Sequence, residues 1–182
     1  HLSDADLEES FQTSGFHYED GVAKLSDLIA ALESTYCSSI GAEYLHIVDP
    51  AELQWVQQRL EVSRSNPNYS SEQKKAILER LTAADGLEKY LQRRYPGTKR
   101  FGLEGGESLI PMLHELLQRL GSHGVLESVI SMAHRGRLNV LVNILGKNPG
   151  DLFDEFEGNV TREKGSGDVK YHQGFSTNVN TP

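Results

Sequence analysis

The string Met132-Ala-His-Arg-Gly-Arg137 sets one imidazole and two guanidinium groups around a glycine. That set suits an anion. Arginine forks match carboxylate or phosphate oxygens, histidine exchanges protons near neutral pH, and glycine lets backbone come close to a ligand. A hydrogen-bonded structural histidine flanked by ion-paired arginines accounts for the same residues, and on the string alone both readings stay open. A second set, Gly165 to Ser176, gathers Lys170, Tyr171, His172 and Ser176 between glycines. Loops that cover a substrate have this composition, and so do ordinary surface loops. A third stretch, Phe101-Gly-Leu-Glu-Gly-Gly-Glu107, lacks the GxGxxG spacing and reads better as a tight turn feeding a helix. No pair of histidines has metal-ligand spacing with a nearby carboxylate or thiolate, and neither GxSxG nor a P-loop occurs.

The elements that must position these residues follow from periodicity. Lys24 to Tyr36 puts Leu25, Leu28, Ile29 and Leu32 on one helical face. Asp49-Pro50 is an N-cap with proline at the first helical position, opening a helix toward Arg64. Ser70 with Gln73 makes a capping box ahead of Leu78 and Leu81. Gly86 interrupts that run or marks a joint, and Tyr95-Pro96-Gly97 stops it. After Gly105-Gly106 comes an apolar-faced helix ending near Gly121. Val125 to Met132, rich in branched residues, predicts a strand. Arg137 to Leu145 predicts a buried helix, Asn148-Pro149 a short helix through Phe156, and 159–182 a loop. Helix, strand, helix in this order predicts the start of an α/β domain with a parallel sheet. Residues 1–97 would form a mainly helical arm and 98–182 the incomplete α/β domain. His134 then falls at a strand-to-helix turn, where open parallel sheets bind ligands.

Composition narrows the function. Residues 1–62 carry twelve Asp/Glu against two Lys/Arg, net −10, and the rest is close to neutral at +2. An overall charge of −8 argues against nucleic acid. The single Cys37 cannot form an internal disulfide, which points to a reducing compartment. No apolar stretch approaches the roughly 20 residues of a membrane span. Beginning at His1 and stopping in polar Thr181-Pro182, the chain reads as cut from a longer one.

Six strings taken together resemble one family, the E1 subunits of 2-oxoglutarate dehydrogenase. They are Tyr36-Cys with Ile40-Gly-Ala-Glu-Tyr44, Lys99-Arg-Phe-Gly-Leu-Glu-Gly-Gly-Glu107, Met132-Ala-His-Arg-Gly-Arg-Leu-Asn-Val-Leu141, Asp151-Leu-Phe-Asp-Glu-Phe156 and Gly167-Asp-Val-Lys-Tyr-His-Gln-Gly-Phe-Ser176. They stand in the family's order at about its spacing, over nearly the whole chain. The resemblance implies thiamine diphosphate with magnesium, 2-oxoglutarate as substrate, and transfer of a succinyl group to a lipoyl-bearing E2 partner. It also implies a homodimeric parent in the cytoplasm of a bacterium or the mitochondrial matrix. Residue by residue, His134 and His172 match active-centre histidines, Ser176 a substrate-pocket serine, and Arg135 an arginine at cofactor and substrate. The family's metal and diphosphate segment has no match in the chain, so the metal ligands are expected beyond Pro182 and the chain alone should be inactive. A 2-oxoadipate enzyme shares the HRGRLN string but departs at Tyr171 to Ser176. A multidomain form fused to an E2-like domain, and a non-catalytic helical module docking a basic partner, are the other readings.

Overall fold

Asp49 and Ser70 start two helices by the same means: a side-chain oxygen takes up amide hydrogens that have no partner inside the helix. In the computed structural model, Asp49 Oδ1 accepts from the amides of Ala51 and Glu52, each at 2.9 Å. Ser70 Oγ accepts from the Gln73 amide at 3.2 Å while Gln73 Oε1 accepts from the Ser70 amide at 2.8 Å, a reciprocal capping box. The structure describes residues 2–13, 15–17, 21–159 and 174–182. They fall into two compact units, His1–Tyr69 and Ser70–Pro182.

The first unit holds the helix α1 (Asp4–Leu7), strands β1 (Ser10–Gln12) and β2 (Val22–Lys24), and the helices α2 (Leu25–Tyr36) and α3 (Pro50–Ser63). The strands form an antiparallel pair with Ser10 opposite Lys24. Three-residue strands are too short to print a period of two on a sequence, so this hairpin is absent from the sequence reading. Glu61 on α3 is 3% exposed. Its carboxylate accepts from the Tyr36 hydroxyl at 2.6 Å and from the His17 amide at 2.8 Å, which ties α2 and the connection between β1 and β2 to α3. On α2 the expected apolar face is only half covered. Leu25, Leu28 and Ile29 are half-buried and Leu32 is exposed, while Ala31 and Thr35 are buried. The small side chains take the line of closest approach.

The second unit consists of the helices α4 (Ser71–Arg94), α5 (Leu109–Ser122), α6 (Arg137–Asn143) and α7 (Pro149–Glu157). α4 runs unbroken through Gly86. Its inward residues Ala84, Glu88 and Leu91 are all buried, and that packing offsets the roughly 1 kcal/mol cost of a helical glycine. α6 is central, with Leu138, Asn139, Val140 and Leu141 all buried. One cluster joins Leu91, Leu138, Leu141, Leu152 and Phe156; a second joins Ala84, Leu103, Ile110 and Val140. Tyr95, past the end of α4, stacks on Phe156 with centroids 4.8 Å apart.

The parallel sheet anticipated from Val125–Met132 is not formed by the described residues. They are mainly helical, and β1–β2 is the sheet found among them. Val125–Met132 is irregular, with Leu126 and Val129 95% and 96% exposed. A strand exists by pairing, and no neighbouring strand stands beside this segment among the described residues. Branched residues raise the propensity but cannot supply the partner. No helix among the described residues is long and apolar enough to cross a membrane.

The α4–α5 contact includes a titratable pair. Arg80 Nη2 lies 2.7 Å from His114 Nε2. A guanidinium only donates, so Nε2 accepts and the ring is neutral, with its proton on Nδ1. Burial, and then the Arg80 charge, push His114 below its ordinary value of 6.5. As pH falls, the unfolded chain therefore takes up this proton before the folded chain does. The stability tied to the neutral ring is complete above the ordinary value and drains away below it. Denaturant unfolding at about pH 7.5 and about pH 5.5 measures this. The midpoint should fall further in the wild type than in His114→Gln, and equal falls would contradict the assignment.

Candidate functional site

The His134-Arg135-Gly136-Arg137 turn is gripped by the loop that precedes α5. Gly136 is the N-cap of α6 at φ +70°, a left-handed conformation that glycine adopts without strain. A Cβ added there would run into the side chain of Leu103, which is 1% exposed. The Gly136 amide donates to the Phe101 carbonyl at 2.8 Å. Arg135 Nη1 donates to the Gly102 carbonyl at 2.9 Å, and Arg137 Nη2 to the Met132 carbonyl. The Phe101 ring stacks on the His134 imidazole, centroids 4.5 Å apart and planes 23° from parallel.

The loop is itself held from below. Arg100 Nη2 donates to Glu104 Oε1 at 2.6 Å, and Arg100 Nε faces Glu88 Oε2 at 3.9 Å. Glu88 Oε1 accepts from Asn139 Nδ2 at 3.0 Å, the same nitrogen donates to the Ala84 carbonyl at 2.9 Å, and Asn143 Nδ2 donates to Asn139 Oδ1 at 2.6 Å. A hydrogen bond from its own backbone amide, then Arg100 and Arg135, hold the Glu104 carboxyl below the usual carboxylate range. Gly102 leaves no room for a side chain, since a Cβ would meet the carboxylates of Glu104 and Glu88. Between these anchors Phe101 sits at φ +46°, a conformation that costs a non-glycine residue of order 1–3 kcal/mol.

His134 and Arg137 are half-buried, and Arg135 is exposed. The three side chains lie at the turn into α6, with Arg135 reaching the Gly102 carbonyl and Arg137 the Met132 carbonyl. Ser176 is exposed and lines an open cleft of about 530 Å³ together with Leu117, Val129 and Phe175. His134 and Arg135 do not line that cleft. Phe175 is held by Lys147, whose Nζ lies 5.9 Å from the ring centroid and donates to Glu155 at 2.9 Å. Lys170, Tyr171 and His172 lie outside the described residues. Sequence reasoning missed Phe101, Leu103, Glu88 and Asn139. The available signal was a pair of bulky apolar residues, Phe101 and Leu103, inside an otherwise glycine-rich and charged stretch. Among the described residues, no group of three or more His, Cys, Asp or Glu could hold a metal ion.

His134 thus stacks by its face on Phe101 beside an exposed Arg135, on the turn that enters the buried helix α6. The comparisons with known proteins give it a family context. No protein-family model matches the chain. The chain is 61% identical over 180 residues, 99% of its length, to the 2-oxoglutarate dehydrogenase E1 component of Azotobacter vinelandii. It is 53% identical, again over 99% of its length, to the protein of that name from Cupriavidus necator. It is 46% identical over 93% of its length to the multifunctional 2-oxoglutarate metabolism enzyme of Mycolicibacterium vanbaalenii, of which it covers 14%. Over nearly all its residues the chain therefore aligns with 2-oxoglutarate dehydrogenase E1 components, the family its six strings resemble. It spans about a fifth of the length of these E1 relatives, 19% in each.

Gly136 offers a direct test of the grip. In Gly136→Ala the left-handed backbone is retained only at a cost of about 1–3 kcal/mol, and the new methyl must displace Leu103. Unfolding free energy from urea titration should drop by at least that amount. An unchanged value would mean that loop and turn are not locked together.

Proposed function

We propose that this chain is part of a 2-oxoglutarate dehydrogenase E1 component, which decarboxylates 2-oxoglutarate and passes the succinyl group to a lipoyl group of an E2 partner. The observation that carries the reading is 61% identity to such a component across 99% of the chain. The working form is taken to be a homodimer in the bacterial cytoplasm, and this stretch alone to be inactive. Residues 98–182 are read as the incomplete start of its parallel-sheet, thiamine-diphosphate-binding domain, after a helical arm at 1–97.

Thiamine diphosphate, when bound with magnesium, supplies the electron sink for loss of carbon dioxide. The residues present fit part of that site. Arg135 is an exposed guanidinium at a glycine-capped turn and suits an anionic group of cofactor or substrate. The metal is assigned to none of the described residues, among which no metal-holding group converges. The chain's own contribution is anion binding and proton handling. Arg135 spends one N–H on the Gly102 carbonyl, which tethers one end of the guanidinium and leaves it further donors to offer. A carboxylate of 2-oxoglutarate can then be met in bidentate fashion. His134, clamped by Phe101, holds or gives a proton at an imidazole nitrogen as charge develops on the substrate. His172 is assigned the second proton-handling role.

In the full-length protein, His134→Ala and His172→Ala should each lower kcat/KM for 2-oxoglutarate by about 10²-fold or more, the usual worth of a general acid or base. Steady-state kinetics decide it, and near-normal values in both variants would return the histidines to structural duty.

Ser176 is assigned to the distal carboxylate, the group that separates 2-oxoglutarate from 2-oxo acids with apolar tails. A buried carboxylate must be hydrogen-bonded, and losing one donor to it costs about 1.5–3 kcal/mol. Ser176→Ala should therefore reduce kcat/KM for 2-oxoglutarate by about tenfold or more, and much less for an apolar 2-oxo acid. Equal losses on the two substrates would show that Ser176 shapes the loop instead.

A further inference from the structure

We propose that Phe101 is a positioning residue for His134, a role that rests on reading His134 as a proton-handling group. Phe101 holds the turn twice. Its ring covers a face of the imidazole at 4.5 Å, and its carbonyl takes the Gly136 amide at 2.8 Å, two residues past His134. Ring and carbonyl can act on the same turn because the backbone at Phe101 is left-handed, at φ +46°. Glycine would adopt that conformation without strain, and a loop that needed only the bend would be served by it. A phenyl ring in its place trades local stability for a surface against which the imidazole lies flat. The strain is contained on both sides. Arg100 is tied to Glu104 and faces Glu88, and Leu103 is buried against Gly136. Phe101 therefore cannot relax without releasing one of these contacts.

The chemical consequence follows from the geometry of proton transfer. Both imidazole nitrogens lie in the ring plane, so the orientation of that plane decides where a proton can be given or taken. Stacking at 23° fixes the plane from one side. With the ring gone, the imidazole loses the surface that sets its plane from that side, and the loss falls on the chemical step rather than on substrate capture.

The test uses the full-length protein with Phe101→Leu, Phe101→Tyr, His134→Gln and His134→Ala. Phe101→Leu should lower kcat/KM for 2-oxoglutarate by about 10–100-fold, mostly in kcat, as small misplacements of catalytic groups do. Phe101→Tyr keeps the ring and should restore most of the activity. With histidines labelled by ¹³C, the His134 ring signal, identified by its disappearance in His134→Gln, should be displaced upfield by the stacked phenyl. The displacement should persist in Phe101→Tyr and vanish in Phe101→Leu. Wild-type kinetics in Phe101→Leu alongside a large loss in His134→Ala would overturn the positioning role and leave the function of His134 standing. A His134→Ala enzyme of near-normal activity would overturn both. Should Phe101→Leu fail to fold, the wild-type spectrum still decides, since an undisplaced His134 signal would remove the stacking on which the proposal stands. Failure of Phe101→Tyr to rescue activity would count equally against it.

Discussion

A single buried amide organises the second unit. The Asn139 side chain is fully excluded from solvent, and a polar group in that position must find partners inside the protein. It finds them on α4, at the Ala84 carbonyl and the Glu88 carboxylate, and one turn along its own helix at Asn143. Leucine contacts tolerate small slides and rotations; these bonds do not. α6 is therefore fixed against α4 in register as well as in distance, and the turn that begins α6 takes its position from that register.

Glu88 extends the constraint to the loop ahead of α5. One oxygen serves Asn139 and the other faces Arg100 at 3.9 Å. Among the described residues neither Glu88 Oε2 nor Arg100 Nε has a hydrogen-bond partner. A desolvated ion pair left partly unsatisfied adds little to folding stability. Its effect is one of placement, because Arg100 leads directly into Phe101 and the loop arrives at the turn already committed in direction. Shape finishes what charge begins: Leu103 fills the space that the missing Gly136 side chain leaves.

The helices α3, α4 and α7 were legible because their ends carry local chemistry. Asp49, Ser70 and Asn148 cap where the sequence places them, and Tyr95-Pro96-Gly97 stops α4. Gly86 misled by its conformational preference alone, since what decides helix continuity there is the buried row Ala84, Glu88 and Leu91. Val125–Met132 misled for the opposite reason. Its branched residues describe what a strand needs from its own side chains and say nothing about whether a neighbour is present. The site was half legible. Histidine, arginine and glycine in six consecutive residues mark a turn whose side chains suit an anion, whereas Phe101, some thirty residues earlier, carries no chemistry of its own and becomes visible only through its stacking on His134.

His134 and Ser176 are held in very different ways, and the difference matches the tasks proposed for them. The imidazole is set by a stacked ring, a backbone bond across the same turn and a close-packed glycine. Ser176 sits on an exposed segment whose anchors are a distant cation over Phe175, a hydrogen bond from Gln118 to the Asn180 carbonyl at 3.1 Å, and Thr181 against Gly121. A catalytic group misplaced by about 1 Å can cost about 10²-fold in rate. Recognition of a charged tail is more tolerant, since a hydroxyl can turn to follow a carboxylate. Under the proposed roles, the tight hold on the imidazole suits a group that must react by geometry, and the looser hold on the hydroxyl suits one that discriminates by charge.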